Sequence, residues 1–281
     1  MNDAIESAAE LIRSRSGEDP IDLAIVLGTG LGTSLDALED CVSIPYAEIP
    51  GFPETPVSGH EGRLVVGRQE GARVAYLVGR AHYYERGDAR AMAAPLETLA
   101  FLGLRMILFT CSVGSVNADM YPGTLSLVRD HINLSGLNPL IGVAEEAGFL
   151  SMTEAYDSRM IQRLKRAAIG AGVQLREGVY MWFSGPTFET PAEVKMARTL
   201  GADMVGMSLV PEVILARRLA MRVAAVGVIT NFGAGFSGGD PTHAQTREIA
   251  HQGSISVKRL IRAFLKSKDD AWGLAGRPIG H

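Results

Sequence analysis

The sequence predicts an α/β fold: one domain built on a mainly parallel or mixed sheet with helices on both faces. Three observations carry that expectation. Short runs rich in Val, Ile and Leu recur along the chain, several without a polar interruption, as strands covered on both faces require. Segments with helical periodicity lie between them, and such alternation is how helices come to flank a sheet. No repeat, low-complexity tract or linker-like stretch divides residues 1–281, so a single domain is the economical reading.

The chain opens on MNDAIESAAELIRSRS, whose acids precede its apolar positions; this reads as an amphipathic helix rather than a signal peptide. The strand candidates are 23–27, 64–66, 74–78, 106–110, 124–128, 178–183, 203–207 and 223–230. The helix candidates are 89–102, 158–171, 191–200, 211–219 and 244–264. Pro191 and Pro211 suit first-turn positions, where a missing N–H is tolerated, and Gly103, Gly172 and Gly201 stand where helices stop. The Gly- and Pro-containing end, 270–281, reads as a flexible or surface-lying tail.

Bulk composition excludes several function classes. Lys and Arg number 27 against 31 Asp and Glu, a net charge of -4, so nucleic acid is not an expected partner and any bound anion must be small and held locally. Cys41 and Cys111 form no CxxC and have no ligand-like spacing to histidine, which argues against a disulfide scaffold or structural zinc and fits a reducing, cytoplasmic setting. No apolar run approaches membrane-spanning length, so a soluble protein is expected.

In folds of this class, ligands bind beyond the carboxyl ends of the strands, where loops converge on one crevice. The segments there are GTGLG (28–32), GRAHYYE (79–85), CSVGS (111–115), SGPTFET (184–190), GMS (206–208) and TNFGAG (230–235). The first suits phosphate approach to backbone amides, but its GxGxG spacing is not a dinucleotide fingerprint, and an ordinary strand-to-helix turn explains it equally well. Arg80 offers planar paired donors and His82 one more, a pairing suited to a phosphate-sized oxyanion; a solvated loop is the alternative. Hydroxyls at Thr29, Ser112 and Ser208 favour the anion site.

Phe188 beside Glu189 puts an aromatic face next to a carboxylate, able to stack on a heterocycle and accept from its N–H edge. Equally, Phe188 can be a core anchor and Glu189 an ordinary acid at a helix start. The Asn231 amide can both donate and accept, and so read a heterocycle edge, or it can be a turn residue before Gly233. His243 can reach a ligand hydroxyl from a flexible segment, or be solvated.

Together and in order, these segments resemble the trimeric class of purine nucleoside phosphorylases. The likeness runs over nearly the whole chain: GTGLG, IPGFPETPVSGHEGRLVVG, GRAHYYERG, VRDHINLSGLNPL, AYD, SGPTFETPAE, GADMVGMSLVPEVILAR, VITN and THAQT. It implies a central mixed, partly barrel-like sheet flanked by helices. It also implies reversible phosphorolysis of purine ribo- or deoxyribonucleosides to free base and pentose 1-phosphate, without metal or organic cofactor and with inorganic phosphate as co-substrate. By position, Thr29, Arg80, His82, Ser208 and the backbone at Ser112 would hold phosphate. Tyr84 and Met207 would lie along the sugar, His243 would meet its 5′ hydroxyl, and Phe149 of a neighbouring subunit would close the sugar side of a homotrimer's site. Tyr180, Phe188, Glu189, Val205, Thr230 and Asn231 would form the base pocket.

Glycosidic cleavage leaves positive charge on the sugar and negative charge on the purine, so an anion belongs beneath one and donors against the other. His82 with its phosphate, Asn231 at a protonated ring nitrogen and Glu189 at the opposite edge of the base are therefore the expected catalytic groups, with Tyr84 and Glu85 bracing the cradle. Glu189 with Asn231 matches the branch that prefers 6-oxopurines such as inosine and guanosine; relatives that cleave methylthioadenosine typically carry Asp where Asn231 stands. Two departures stand out: CSVGS replaces the family's usual Asn-Ala-Ala-Gly run, and Thr29 replaces a commoner Ser. THAQT is similar to bacterial members that also accept xanthosine. A xanthosine-accepting or methylthioadenosine phosphorylase of the same fold is the nearest alternative, and a non-catalytic nucleoside-binding protein a more distant one.

Overall fold

The segment LAIVL forms β1 (Leu23–Leu27), buried at every position because strands or helices cover it on all sides. The structure, a computed structural model, describes residues 3–28, 30–35, 38–53, 62–143 and 149–267; Thr29 and the expected tail lie outside them. The further described strands are β2 (Glu39–Pro45), β3 (Arg63–Gln69), β4 (Ala72–Val78), β5 (Met106–Ser115), β6 (Leu125–Asn133), β7 (Leu175–Trp182), β8 (Met204–Gly206) and β9 (Arg222–Phe232). The helices are α1 (Asp3–Ser16), α2 (Tyr83–Arg86), α3 (Ala93–Phe101), α4 (Ser158–Ala171), α5 (Pro191–Thr199), α6 (Val210–Arg218) and α7 (His243–Lys266).

The strands form one mixed sheet in the order β2-β3-β4-β1-β5-β8-β7-β6-β9, and β9 also pairs with β5. That extra pairing closes β5, β8, β7, β6 and β9 into a ring, so one part of the sheet is open and the other is barrel-like. β5 belongs to both parts. Its first half lies parallel to β1, while Gly114 and Ser115 at its far end pair antiparallel with β8. β3 and β4 form a hairpin through Glu70 and Gly71, whose φ values of 50° and 75° match the right-handed twist of the flanking strands.

The helices follow their local chemistry. Asp157 caps α4 by accepting from Met160 N, and the helix stops at Gly172 in the left-handed conformation. Thr190 and Glu193 form a reciprocal capping box at α5, with Pro191 in its first turn. α7 packs on β9 and α4, and α1 on α3.

Some expectations differ from the structure in instructive ways. β2 was not anticipated, because it is an edge strand with mostly exposed residues, and EDCVSIP has little apolar alternation. CSVGS is not a loop but the second half of β5, and Asn231 lies within β9 rather than in a turn. Ser112 and Asn231 line a cavity, so the apolar signal ends before the strand does. Within GRAHYYE, residues from Tyr83 onward wind into the short helix α2.

Candidate active site

A cavity of about 300 Å³ opens beyond the carboxyl ends of β1 and β4, between the far halves of β5 and β9 and the segment after β8. Arg80, His82, Ser112 and Ser208 line it. Arg80 follows β4 and is almost fully buried; its Nη2 donates to Thr110 O at 2.7 Å and its Nη1 lies 3.3 Å from Glu212 Oε2. Arg80 Nε is buried with no hydrogen-bond partner, which leaves donor capacity next to the cavity. A guanidinium in that state suits an anion.

His82 starts α2, and its ring Nδ1 lies 2.8 Å from Glu85 Oε1, which also accepts from His82 N at 2.9 Å. Burial pushes the Glu85 carboxyl up, but the bonds from the His82 ring and backbone outweigh it and hold the carboxyl below its ordinary value. The imidazole is thus gripped on one nitrogen, and His82 lines the cavity. The Tyr84 ring stacks on it, with centroids 4.9 Å apart and planes 14° from parallel. Gly28 lines it too, where an added Cβ would stand 2.8 Å from Thr110 O, so only glycine lets β1 end this close to β5.

Phe188, Glu189, Val205, Thr230 and Asn231 line the same cavity. Glu189 is 7% exposed, yet its Oε1 has no hydrogen-bond partner. Burial pushes its carboxyl up from the ordinary value, a backbone hydrogen bond opposes the shift and Glu193 adds to it. Its burial cannot be ascribed to capping, since Thr190 and Glu193 already cap α5. Nor is Phe188 a core anchor: it is partly exposed and lines the cavity.

Thr230 and Asn231 are consecutive residues of a strand, so their side chains should point to opposite faces. Both line the cavity because the register of β5 against β9 slips there: Val113 pairs with Ile229 but Gly114 pairs with Asn231, leaving Thr230 as the extra residue of a bulge. Asn231 is then fixed by its neighbours. Its Nδ2 donates to Phe232 O at 2.9 Å, and its Oδ1 lies 2.8 Å from the Thr230 hydroxyl. A Cβ at position 114 would come within 3.1 Å of that Nδ2, so Gly114 makes room for the amide.

Tyr84 and Met207 also line the cavity, with His243 and Thr246 contributed by the first turn of α7. Of the residues singled out from the sequence, three stand apart. Thr29 is outside the described residues. Tyr180 does not line the cavity: it is fully buried behind β8, where its hydroxyl donates to Ser208 O at 3.0 Å and accepts from Ser208 N at 3.2 Å. The family resemblance implied a place in the base pocket, but its position on β7 beside β8 and its two bonds to Ser208 put it behind that segment. Phe149 is fully exposed in a separate concavity with Ile141 and Met152. Cys111 and Thr246 lie in segments noted from the sequence but were given no role there, and Glu212 was not singled out. Cys111 lines the cavity with its thiol pushed up to about 12, chiefly by burial, so it stays protonated at neutral pH and is a poor nucleophile. Among the described residues, no group of His, Cys, Asp or Glu is arranged to hold a metal ion, and no helix is long and apolar enough to cross a membrane.

The cavity lining thus combines a buried guanidinium and an imidazole with a buried carboxylate and an amide. Comparison with known proteins identifies the family that uses this fold. The sequence profile of the Phosphorylase superfamily matches residues 22–266. Purine nucleoside phosphorylase 1 of Geobacillus stearothermophilus is 40% identical over 267 residues, covering 94% of this chain and 97% of that protein. The solved structure of Schistosoma mansoni purine nucleoside phosphorylase in complex with adenosine superposes with a TM-score of 0.88 at 31% identity, covering 95% of this chain and 98% of that one. A second structure of Schistosoma mansoni purine nucleoside phosphorylase, in complex with inosine, gives 0.88 at 30% identity, over 95% and 97% of the two chains. The chain belongs to the phosphorylase superfamily, and within it to the purine nucleoside phosphorylases. It is accordingly an enzyme, a pentosyltransferase.

Proposed function

We propose that the chain catalyses reversible phosphorolysis of 6-oxopurine nucleosides such as inosine and guanosine, ribo or deoxyribo, with inorganic phosphate as co-substrate and no metal or organic cofactor. In this reading phosphate sits against Arg80, His82, Ser208 and the backbone at Ser112, with Thr29 beside it. The sugar lies along Tyr84 and Met207 with His243 at its 5′ hydroxyl, and the base enters between Phe188, Val205 and Thr230. The C1′–N9 bond breaks as a phosphate oxygen bonds to C1′, and the bonding pair leaves with the purine. Asn231 steadies the protonated ring nitrogen of the departing base while Glu189 accepts from its opposite N–H edge; no side chain forms a covalent intermediate.

One observation carries the reading: a single cavity is lined by a buried guanidinium whose Nε has no hydrogen-bond partner and by a buried carboxylate with an oxygen likewise without one. A polar group left buried without a partner costs about 1–3 kcal/mol, a cost that a ligand with matching groups removes. The experiment is to incubate the protein with inosine, guanosine, xanthosine and adenosine, with and without phosphate, and to measure free base. Hypoxanthine and guanine should appear fastest, and only with phosphate. Equal release without phosphate overturns phosphorolysis, and adenosine cleaved as fast as inosine overturns the base assignment.

We further read the chain as a cytoplasmic homotrimer in which Phe149 closes a neighbour's site. Supporting this, Phe149, Ile141 and Leu134 are large apolar side chains exposed on the single chain, as expected of a face covered by another copy. A single-chain mass in sedimentation equilibrium contradicts the trimer, and recovery outside the cytoplasm in cell fractionation contradicts the location.

A further inference from the structure

Building on the phosphate assignment of Arg80, His82 and Ser208, we infer that Glu212 is a positioning residue that holds the two halves of that cradle in register. Glu212 lies in the first turn of α6, buried and off the cavity wall. Its Oε2 accepts from Leu209 N at 3.0 Å and lies 3.3 Å from Arg80 Nη1. One carboxylate oxygen therefore touches both the guanidinium that follows β4 and the turn that carries Ser208.

The turn requires such a tie. Leu209 adopts φ 74° and ψ −58°, a conformation disfavoured for any residue with a Cβ, and Val210 N donates to Ser208 O at 2.9 Å to close a tight three-residue turn. Backbone strain of this kind costs on the order of 1–3 kcal/mol and survives only where the surroundings over-determine it. Here those surroundings are the Glu212 carboxylate, the full burial of Leu209 and the two bonds between Ser208 and the Tyr180 hydroxyl. The strain falls next to Ser208, which lines the cavity.

Arg80 requires the tie as well. Its side chain is 2% exposed and that of Glu212 6%, so each is the other's main charge compensation. With Nη2 committed to Thr110 O and Nη1 drawn toward Glu212, the guanidinium plane is fixed from behind.

A carboxylate behind an oxyanion site has two opposed effects. Its charge repels the incoming phosphate, while its bonds aim the donors that receive it. Positioning dominates here, so removing the charge weakens phosphate binding instead of strengthening it. The test compares phosphate KM and inosine KM for the wild type, Glu212→Gln, Glu212→Asp and Arg80→Ala. Glu212→Gln keeps an acceptor for Leu209 N and loses the ion pair; it should raise phosphate KM about tenfold, the scale of one weakened charge-assisted bond, with inosine KM unchanged. Glu212→Asp keeps the charge but is too short to span both partners, and should also raise phosphate KM. A lowered or unchanged phosphate KM in Glu212→Gln, or an equal rise in both KM values, overturns the inference. Should the Gln variant be too unstable to assay, Glu212→Asp decides on the same two constants. An unchanged phosphate KM in Arg80→Ala overturns the phosphate assignment itself; a raised one beside an unaffected Glu212→Gln removes Glu212 alone.

Discussion

Glu189 is held in the fold against the preference of its carboxylate for water. Burial pushes its carboxyl up from 4.5, so the folded chain binds that proton more tightly than the unfolded chain does. The sign follows: this group costs stability above its raised pKa, and the cost is relieved as pH falls toward 4.5. Glu189→Gln should therefore melt higher than the wild type at neutral pH and lose that part of the pH dependence of Tm. Its kcat/KM for inosine should fall about ten- to hundredfold, the worth of one charge-assisted hydrogen bond. A variant that melts lower and stays fully active contradicts both halves. At this scale the sequence was partly legible. Phe188, Glu189 and Asn231 drew notice because aromatic, carboxylate and amide followed strand candidates, yet each also fitted an ordinary structural part. What separates the alternatives is burial without a partner for Glu189 and the bulge for Asn231, and neither is written in a single sequence. Glu212 was illegible for a similar reason: Pro-Glu at a helix start is ordinary, and only the fold brings it to Arg80.

At the scale of elements, the site depends on where strands stop and slip. The parallel strands were readable because β1, β4 and the first half of β5 are continuous apolar runs. Their polar continuations were not, since a strand lining a cavity loses the hydrophobic pattern that identifies it. β8 shows how closely the layers are set. A Cβ at Gly206 would stand 2.6 Å from the Tyr180 hydroxyl, which holds both backbone groups of Ser208. Gly206→Ala should displace that ring, lower stability by roughly 1–3 kcal/mol as overpacking does, and raise phosphate KM through Ser208. Thermal melts with phosphate titrations check this; an alanine variant indistinguishable from wild type in both shows that Tyr180 does not support the turn.

At the scale of the molecule, the sheet's division into an open part and a closed ring brings two sets of residues to one cavity. The open part contributes Gly28, Arg80 and His82 from the ends of β1 and β4, while the ring contributes Val205, Thr230 and Asn231 from β8 and β9. β5 spans both and carries Ser112 between them. The α/β class followed from the alternation of elements, but ring closure did not, because it rests on the pairing of β5 with β9 across the whole length of β6, β7 and β8. The central claim is that this geometry places an oxyanion and a purine at opposite ends of one cavity. A crystal structure of the chain with inorganic phosphate and hypoxanthine tests it most directly. The account predicts phosphate against Arg80, His82 and Ser208 and the base against Glu189 and Asn231; phosphate absent from that end, with the base bound elsewhere, contradicts it.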